Sequence, residues 1–446
     1  MDWQNINMSE FLTARTTRYK PNDKVISGLK RIDKIDFSGN IMISDKPTNT
    51  DMILIKKGDL VISGINVSKG AMSIYQGADD ILATIHYSSY IFDRTKIDID
   101  FLMFFLKSSS FTNILQEQVQ GGIKTELKPK HILSLKVKIP IKISDQKKIV
   151  KFLKEITTLN EKLFDEQVYQ INTLKKLRQL SFLDAFTGKL TEKMRLRSNQ
   201  IEQASELLKR VKQEKYETNK NYYGKKNKTI LQISKNEVPF DLPYGWTWCR
   251  LGDIITFGPT NGYSPIESKK GQGVKCLTLT ATTSGFFKDN CFKYVDEVIS
   301  DDSYLWLKNN DILLQRGNSI DYVGIAAIYE GNNNEYIYPD LMIKIQVHAL
   351  ISAKYVYYVL LSPFSRNYYM KNASGAQKSM PKINQSVVIN TLIPLPPANE
   401  QLLIVDKINF LLSLYNSFQN DVEKQLLFSK YLLNIIFNNI FNSNIL

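Results

Sequence analysis

The 446-residue sequence is poor in the residues from which enzyme sites are commonly built. Its three cysteines, Cys249, Cys276 and Cys291, have no CxxC spacing, and its three histidines, His86, His131 and His348, follow no ligand spacing. Neither a zinc cluster nor a disulfide framework is indicated, and a reducing, cytoplasmic compartment fits. No run approaches the ~18 apolar residues of a membrane span. The start, MDWQNINMSE, has neither the basic nor the apolar region of a signal peptide. There is no GxxxxGK(S/T) phosphate loop, no HExxH, no HxE…CxxC, and no NPPY-like or glycine-rich cofactor motif. The acidic pairs Asp79-Asp80 and Asp301-Asp302 fall in loop-like stretches, and Asp340 lacks a following Glu-x-Lys. No catalytic, cofactor-binding or metal-ligating residue is assigned, so the chain reads as a binder.

Glycine and proline are missing from one long stretch in particular, Asp145–Phe182. A second run of the same character, Glu400–Phe437, overlies it with a shift of 255, which sets Asp145-Gln146 on Glu400-Gln401 and Ile149-Val150 on Ile404-Val405. In the second run Ile404, Ile408, Leu411, Tyr415, Phe418 and Val422 recur at heptad-like spacing. In the first, Ile149, Leu153, Ile156 and Leu163 hold the seam, while Asn160 and Gln167 stand where apolar residues are expected. The pattern predicts two long helices paired antiparallel.

The flanking regions repeat as well. Short β-branched runs (52–55, 59–62, 71–75, 81–92) and a helical pattern over 101–120 precede the first rod. Strand-like runs at 274–280, 311–315, 324–329 and 338–347 and a helical pattern over 353–370 precede the second. The order is block, rod, linker, block, rod, with a period near 254 residues. The expected fold is α+β: two globular α/β-mixed domains separated by two long antiparallel helices in a pseudo-twofold repeat. Boundaries fall at 1–140 (first domain), 141–182 (first long helix), 183–237 (central segment and basic linker), 238–396 (second domain) and 397–446 (second long helix).

Net charge is +14, which favours a polyanionic partner, although a Lys-rich composition alone also produces it. Two similar faces on one chain suit double-stranded DNA. Gln315, Arg316 and Asn318 follow a strand and carry the side chains that read base edges; a polar hairpin is the plainer alternative. Two basic loops overlie each other, GGIKTELKPK (121–130) and SGAQKSMPK (374–382). Their Lys124, Lys128, Lys378 and Lys382 are candidate phosphate contacts, or lysines facing water. Lys56 and Lys69 are weaker candidates.

IPLPPANEQLLIVDKI (393–408) resembles the entry to the conserved long helix of the DNA-specificity subunits of type I restriction–modification systems. KIPIKISDQKKIVKFL (138–153) keeps the end of that pattern and loses the proline pair. LRQLSFLDAFTGKLTE (177–192) resembles the family's central segment, LPYGWTWCRLGDI (242–254) the opening of a recognition domain, and NDILLQRGNSIDYVGIAAIYEG (310–331) its internal strand and turn. The first domain lacks the Trp-x-x-x-x-Leu-Gly-Asp opening, with Trp3 and Phe11 as faint echoes, so it is expected to start abruptly or to be trimmed.

The resemblance implies that two recognition domains each read half of a split target and that the helices set the unread gap. It also implies docking of two methyltransferase subunits that use S-adenosylmethionine, and of motor-nuclease subunits that use ATP and Mg2+. Competing readings are a stand-alone DNA-binding scaffold of another defence complex, a metal-dependent nuclease built on Asp340, and a coiled-coil adaptor.

Overall fold

The computed structural model describes residues 1–119, 126–197, 202–220, 230–374 and 380–441. The chain forms two units, Met1–Tyr169 with Asp421–Leu446, and Gln170–Asn420. Each unit contains one mixed α/β domain and a stretch of both long helices, so the fold is α+β. The unit boundaries cut the helices themselves and not the linkers.

In the first unit β1 (Trp3–Asn7) pairs antiparallel with β11 (Lys136–Pro140). β2 (Leu12–Ala14), β10 (Tyr87–Phe92), β7 (Leu60–Ser63) and β8 (Met72–Ile74) form a four-stranded sheet in that order. A five-stranded sheet runs β3 (Arg18–Tyr19), β6 (Met52–Ile55), β9 (Ile81–Thr84), β4 (Arg31–Ile35), β5 (Ile41–Ser44). α1 (Ile99–Leu106) is capped by the Asp98 carboxylate, which accepts from the Asp100 and Phe101 amides. Ser108 ends it and caps α2 (Ser109–Gln118), splitting what reads in the sequence as one helical pattern. α3 (Pro129–Leu133) and β11 lead into α4 (Ile143–Phe186).

Between the repeats lie a short helix α5 (Glu192–Arg195) and α6 (Ala204–Lys220). In the second unit β12 (Thr247–Arg250) pairs with β20 (Leu392–Leu395), and α7 (Leu251–Ile254) follows β12 directly. β13 (Ile255–Asn261), β19 (Met342–Val347), β16 (Ile312–Gln315) and β17 (Ala326–Ile328) repeat the four-stranded order. α8 (Ala353–Leu361), α9 (Pro363–Asn372), α10 (Gln385–Ile389) and α11 (Ala398–Phe441) repeat the helices, with Ser362-Pro363 as the break. The accessory sheet differs: three strands, β15 (Phe292–Val295), β14 (Val274–Leu277) and β18 (Tyr336–Ile337), stand in place of five.

The repeat extends to single hydrogen bonds. Gln146 accepts from the Asp98 amide through Oε1 (2.7 Å) and donates to the Pro140 carbonyl (2.9 Å). Gln401 accepts from the Ser352 amide (2.9 Å) and donates to the Pro396 carbonyl (3.0 Å). Each buried glutamine thus ties the start of a long helix to the cap of its own domain's helix. The Trp3 opening also lies in place. Met8 N donates to Leu135 O as Leu251 N does to Thr391 O, and Asn7 N meets Glu10 as Arg250 N meets Asp253. Trp3-x-x-x-x-Met-Ser-Glu therefore occupies the place of Trp246-x-x-x-x-Leu-Gly-Asp. The first domain thus has a counterpart of this opening, which the exchanges at Met8, Ser9 and Glu10 hide in the sequence.

A buried carboxylate pins the same turn twice. Asp59 Oδ2 accepts from Lys56 N (2.9 Å), and Asp311 Oδ2 from Lys308 N (2.8 Å). The residue before each carboxylate has positive φ, Gly58 at 89° and Asn310 at 69°. The neutralising cation comes from different places. Asp59 takes Arg15 (2.5 and 3.0 Å) and the Ser89 hydroxyl, whereas Asp311 faces Lys344 Nζ at 3.4 Å. Strand pairing sets Ser89 and Lys344 at the same position of the sheet. Lys344 also donates to the Tyr304 and Trp306 carbonyls. Burial lowers its ammonium from the ordinary lysine range and raises the Asp311 carboxyl.

The long helices run antiparallel within each unit. In the second, Arg178 donates to Asn416 (2.6 Å), Ser181 meets the Tyr415 hydroxyl (2.7 Å) and Lys407 reaches the Leu190 carbonyl. In the first, Lys430 lies 5.8 Å over the Phe164 ring. The end of each helix is buried in the domain encoded by the other repeat. Phe182 meets Tyr358 and Phe186 meets Tyr355 in the second domain; Phe437 meets Phe104 and Phe441 meets Phe101 in the first. All four contacts are edge-on or tilted, with centroids 5.7–6.0 Å apart.

Glu400 adds a polar clasp, accepting from Trp246 Nε1 (2.9 Å), the Thr191 hydroxyl (2.5 Å) and Arg195. This joins the central segment, the opening of the second domain and the first turn of α11. Gln167 on α4 is 1% exposed, and among the described residues neither amide atom has a partner.

Phe186→Ala should lower unfolding stability by about 3–5 kcal/mol in urea titrations, because Phe186 is fully buried among rings. Lys344→Met should cost a similar ~3–5 kcal/mol by leaving the Asp311 carboxylate buried without its cation. The pair Lys344→Met with Asp311→Asn should recover part of that loss on the same measurement.

Candidate nucleic-acid interface

The edge that bears the sequence-predicted residues is the C-terminal end of β16 with the turn after it. Arg316 is half-buried; its backbone is clamped by Arg316 N to Leu341 O (2.7 Å) and Ile383 N to Arg316 O (2.8 Å). Among the described residues its guanidinium has no carboxylate partner within ion-pair distance. The chain of Lys382 crosses directly over Gly317: a Cβ there would meet Lys382 Cγ at 3.0 Å and Leu341 Cδ2 at 3.2 Å. Lys382 is exposed and exchanges both backbone hydrogen bonds with Ser374 at 2.9 Å. Arg316 and Lys382 are therefore brought together on a braced turn, where each cation is held at a defined backbone position.

Gln315 and Asn318 are placed differently. Gln315 is fully buried and donates to the Leu279 carbonyl and the Thr282 and Thr283 hydroxyls at 2.9–3.1 Å. Its Oε1 accepts from Asn318 Nδ2 at 2.6 Å. Both amides spend their hydrogen-bonding capacity inside the protein, so they brace the loop that carries Arg316. Arg366 holds the next stretch of that loop by donating to the Asp321 and Val323 carbonyls.

The first domain has the same backbone edge. Gly64 N donates to His86 O, and Leu127 N donates to Gly64 O, both at 2.8 Å, in the pattern made by Arg316, Leu341 and Ile383. Lys128, exposed, precedes α3 as Asn384 precedes α10. Lys124 and Lys378 lie outside the described residues.

The seam residues divide by position. Ile149, Leu153, Ile404 and Ile408 are buried in their domains' cores, and Val422 is buried too. Ile156, Leu411 and Tyr415 are half-buried, whereas Leu163 (45%) and Phe418 (58%) are exposed. Leu412, not read as a seam position, is buried. Further apolar side chains face outward on both helices: Leu159, Tyr169 and Phe428 in the first unit, Leu180 and Phe410 in the second. Such a density of exposed apolar groups is characteristic of protein-binding surface. Among the described residues no group of three or more His, Cys, Asp or Glu could hold a metal ion, and no helix is long and apolar enough to cross a membrane.

Residues 243–427 match the family model of the type I restriction modification DNA specificity domain. The chain is 32% identical over 213 residues to the EcoEI specificity subunit of Escherichia coli and 31% identical over 219 residues to the EcoAI specificity subunit. These matches span 46% and 48% of this chain but only 36% of either relative's length. The EcoKI specificity subunit is 23% identical over 331 residues, which is 73% of this chain and 61% of that relative. The fold is similar to a chain solved in work on assembly and conformational transition of the type I R-M system (TM-score 0.61, 15% identity, covering 98% of this chain and 97% of the other). It is also similar to the HsdS subunit of Thermoanaerobacter tengcongensis (TM-score 0.58, 15% identity, covering 99% and 97%). Residues 243–427 thus carry the type I restriction modification DNA specificity domain, and with the duplicated sheet order the chain is similar to the specificity subunits of type I restriction enzymes.

Proposed function

We propose that the chain is a non-catalytic reader of a bipartite DNA sequence. Each domain reads one half of the target, and the helix pair sets the unread gap between halves. The observation that carries this reading is the duplicated strand-end edge, which recurs hydrogen bond for hydrogen bond on two domains with unlike accessory sheets. A shared frame with divergent surroundings suits two half-sites of different sequence. Arg316 is the candidate base-edge contact, and Lys382, Lys378, Lys124 and Lys128 are the candidate phosphate contacts.

The exposed apolar faces of α4 and α11 support a second role, docking of two adenine-methyltransferase subunits and of motor-nuclease subunits. S-adenosylmethionine, ATP and Mg2+ belong to those partners. No observation favours a nuclease reading: the Asp340 carboxylate is exposed and accepts a hydrogen bond from the Ser264 hydroxyl.

Co-expression with the cognate methyltransferase, followed by genome-wide mapping of methylated adenines, should give a split motif. Arg316→Ala should relax one half of it and leave the other intact; a contiguous motif, or none, would overturn the proposal. Deleting one heptad from each long helix keeps the seam in phase and removes about 10 Å of rise. The gap should then shorten by about three base pairs, at 3.4 Å per step.

A further inference from the structure

The two edges differ at the one position that matters for recognition. The residue equivalent to Arg316 in the first domain is Gly64. A side chain cannot be placed there, because a Cβ would meet Leu127 O at 2.6 Å and His86 O at 3.2 Å. The first domain therefore needs its reading cation from elsewhere. A groove opens beside this edge, between β3, the start of β10 and the residues leading into α3; it is lined by Arg15, Arg18, His86, Glu126 and Lys128 among others.

Two of its basic side chains are already committed. Arg15 binds the buried Asp59 through two nitrogens, and His86 Nδ1 lies 2.9 Å from Glu126 Oε1. Arg18 and Lys128 are exposed, and among the described residues neither has a carboxylate within ion-pair distance. Arg18 stands on a strand paired to β6, which gives its Cα a fixed place. Lys128 stands where the backbone turns into α3.

We infer that the first domain reads its half-site through this groove, with Arg18 on a guanine edge and Lys128 on a neighbouring phosphate. The inference rests on the bipartite-reader function proposed above. The planar guanidinium fork suits the O6 and N7 acceptors of guanine, whereas an ammonium meets phosphate as a point charge. The reading head has thus moved between the repeats: from the strand end in the second domain to β3, on the groove beside that edge, in the first.

The test uses the full chain co-expressed with its methyltransferase, with methylated-adenine mapping and duplex binding by the purified complex. Arg18→Ala should accept any base at one position of one half-site, with about 10- to 100-fold weaker binding to the original duplex. Arg18→Lys should relax the same position, because it keeps charge but loses the fork. Lys128→Ala should weaken binding evenly across sequences and reduce the salt slope by about one, without altering the motif. Arg316→Ala serves as the internal reference, relaxing the other half.

If Arg316→Ala relaxes its half while Arg18→Ala leaves motif and affinity unchanged, the groove assignment falls and the bipartite reading stands. The assignment also falls if Arg18→Ala weakens all sequences equally. If the unaltered complex yields no split motif, the underlying reading fails and this inference with it. Equal thermal midpoints for the Arg18 and Lys128 variants, expected because both side chains are exposed, exclude loss of fold as the cause.

Discussion

The structure depends on an exchange of helix ends. Phe182 and Phe186, at the end of the first long helix, are buried against α8 of the second domain, and Phe437 and Phe441 are buried against α1 of the first. Between these anchors the helices expose many apolar side chains and bury few, so mutual packing alone gives them a thin seam. Most helical stability comes from tertiary burial and not from intrinsic propensity. The aromatic ends supply that burial, and Gln146 and Gln401 fix where each helix leaves its own domain.

Around this frame the repeats diverge in a physically economical way. The turn carboxylates Asp59 and Asp311 keep the same backbone hydrogen bond, because an unpinned turn would shift the strand that follows. The cation that neutralises each is free to change, provided some cation reaches it: Arg15 from just past the end of β2, Lys344 from β19. The accessory sheets, five strands against three, lie outside that constraint and differ most.

Much of the frame was legible because it is written in strong local signals. The helices announce themselves by heptad spacing and by the absence of glycine and proline, and the repeat by Gln146 and Gln401. The structure shows those glutamines doing the same job. Other features were masked by chemistry. Trp3 looked isolated because Met8, Ser9 and Glu10 replace Leu251, Gly252 and Asp253 with residues of similar shape but different letters. β3 is two residues long and β4 is interrupted by charges, and each is paired to a strand distant in sequence, β6 and β9. Gln315 reads in the sequence as a base-edge candidate at a strand end, yet tertiary hydrogen bonds to the 279–283 loop turn it inward. Leu163 and Phe418 fit the heptad, but the partner helix does not cover them.

The crossing of the helix ends also dictates an order of events during synthesis. The core of the first domain includes Ile440 and Phe441, which leave the ribosome nearly three hundred residues after Leu153 in the same cluster. At about 5–20 residues per second that wait lasts roughly 15 to 60 s. Through it the nascent first domain presents an open aromatic notch at α1, the vacancy that the tail of its own chain eventually fills.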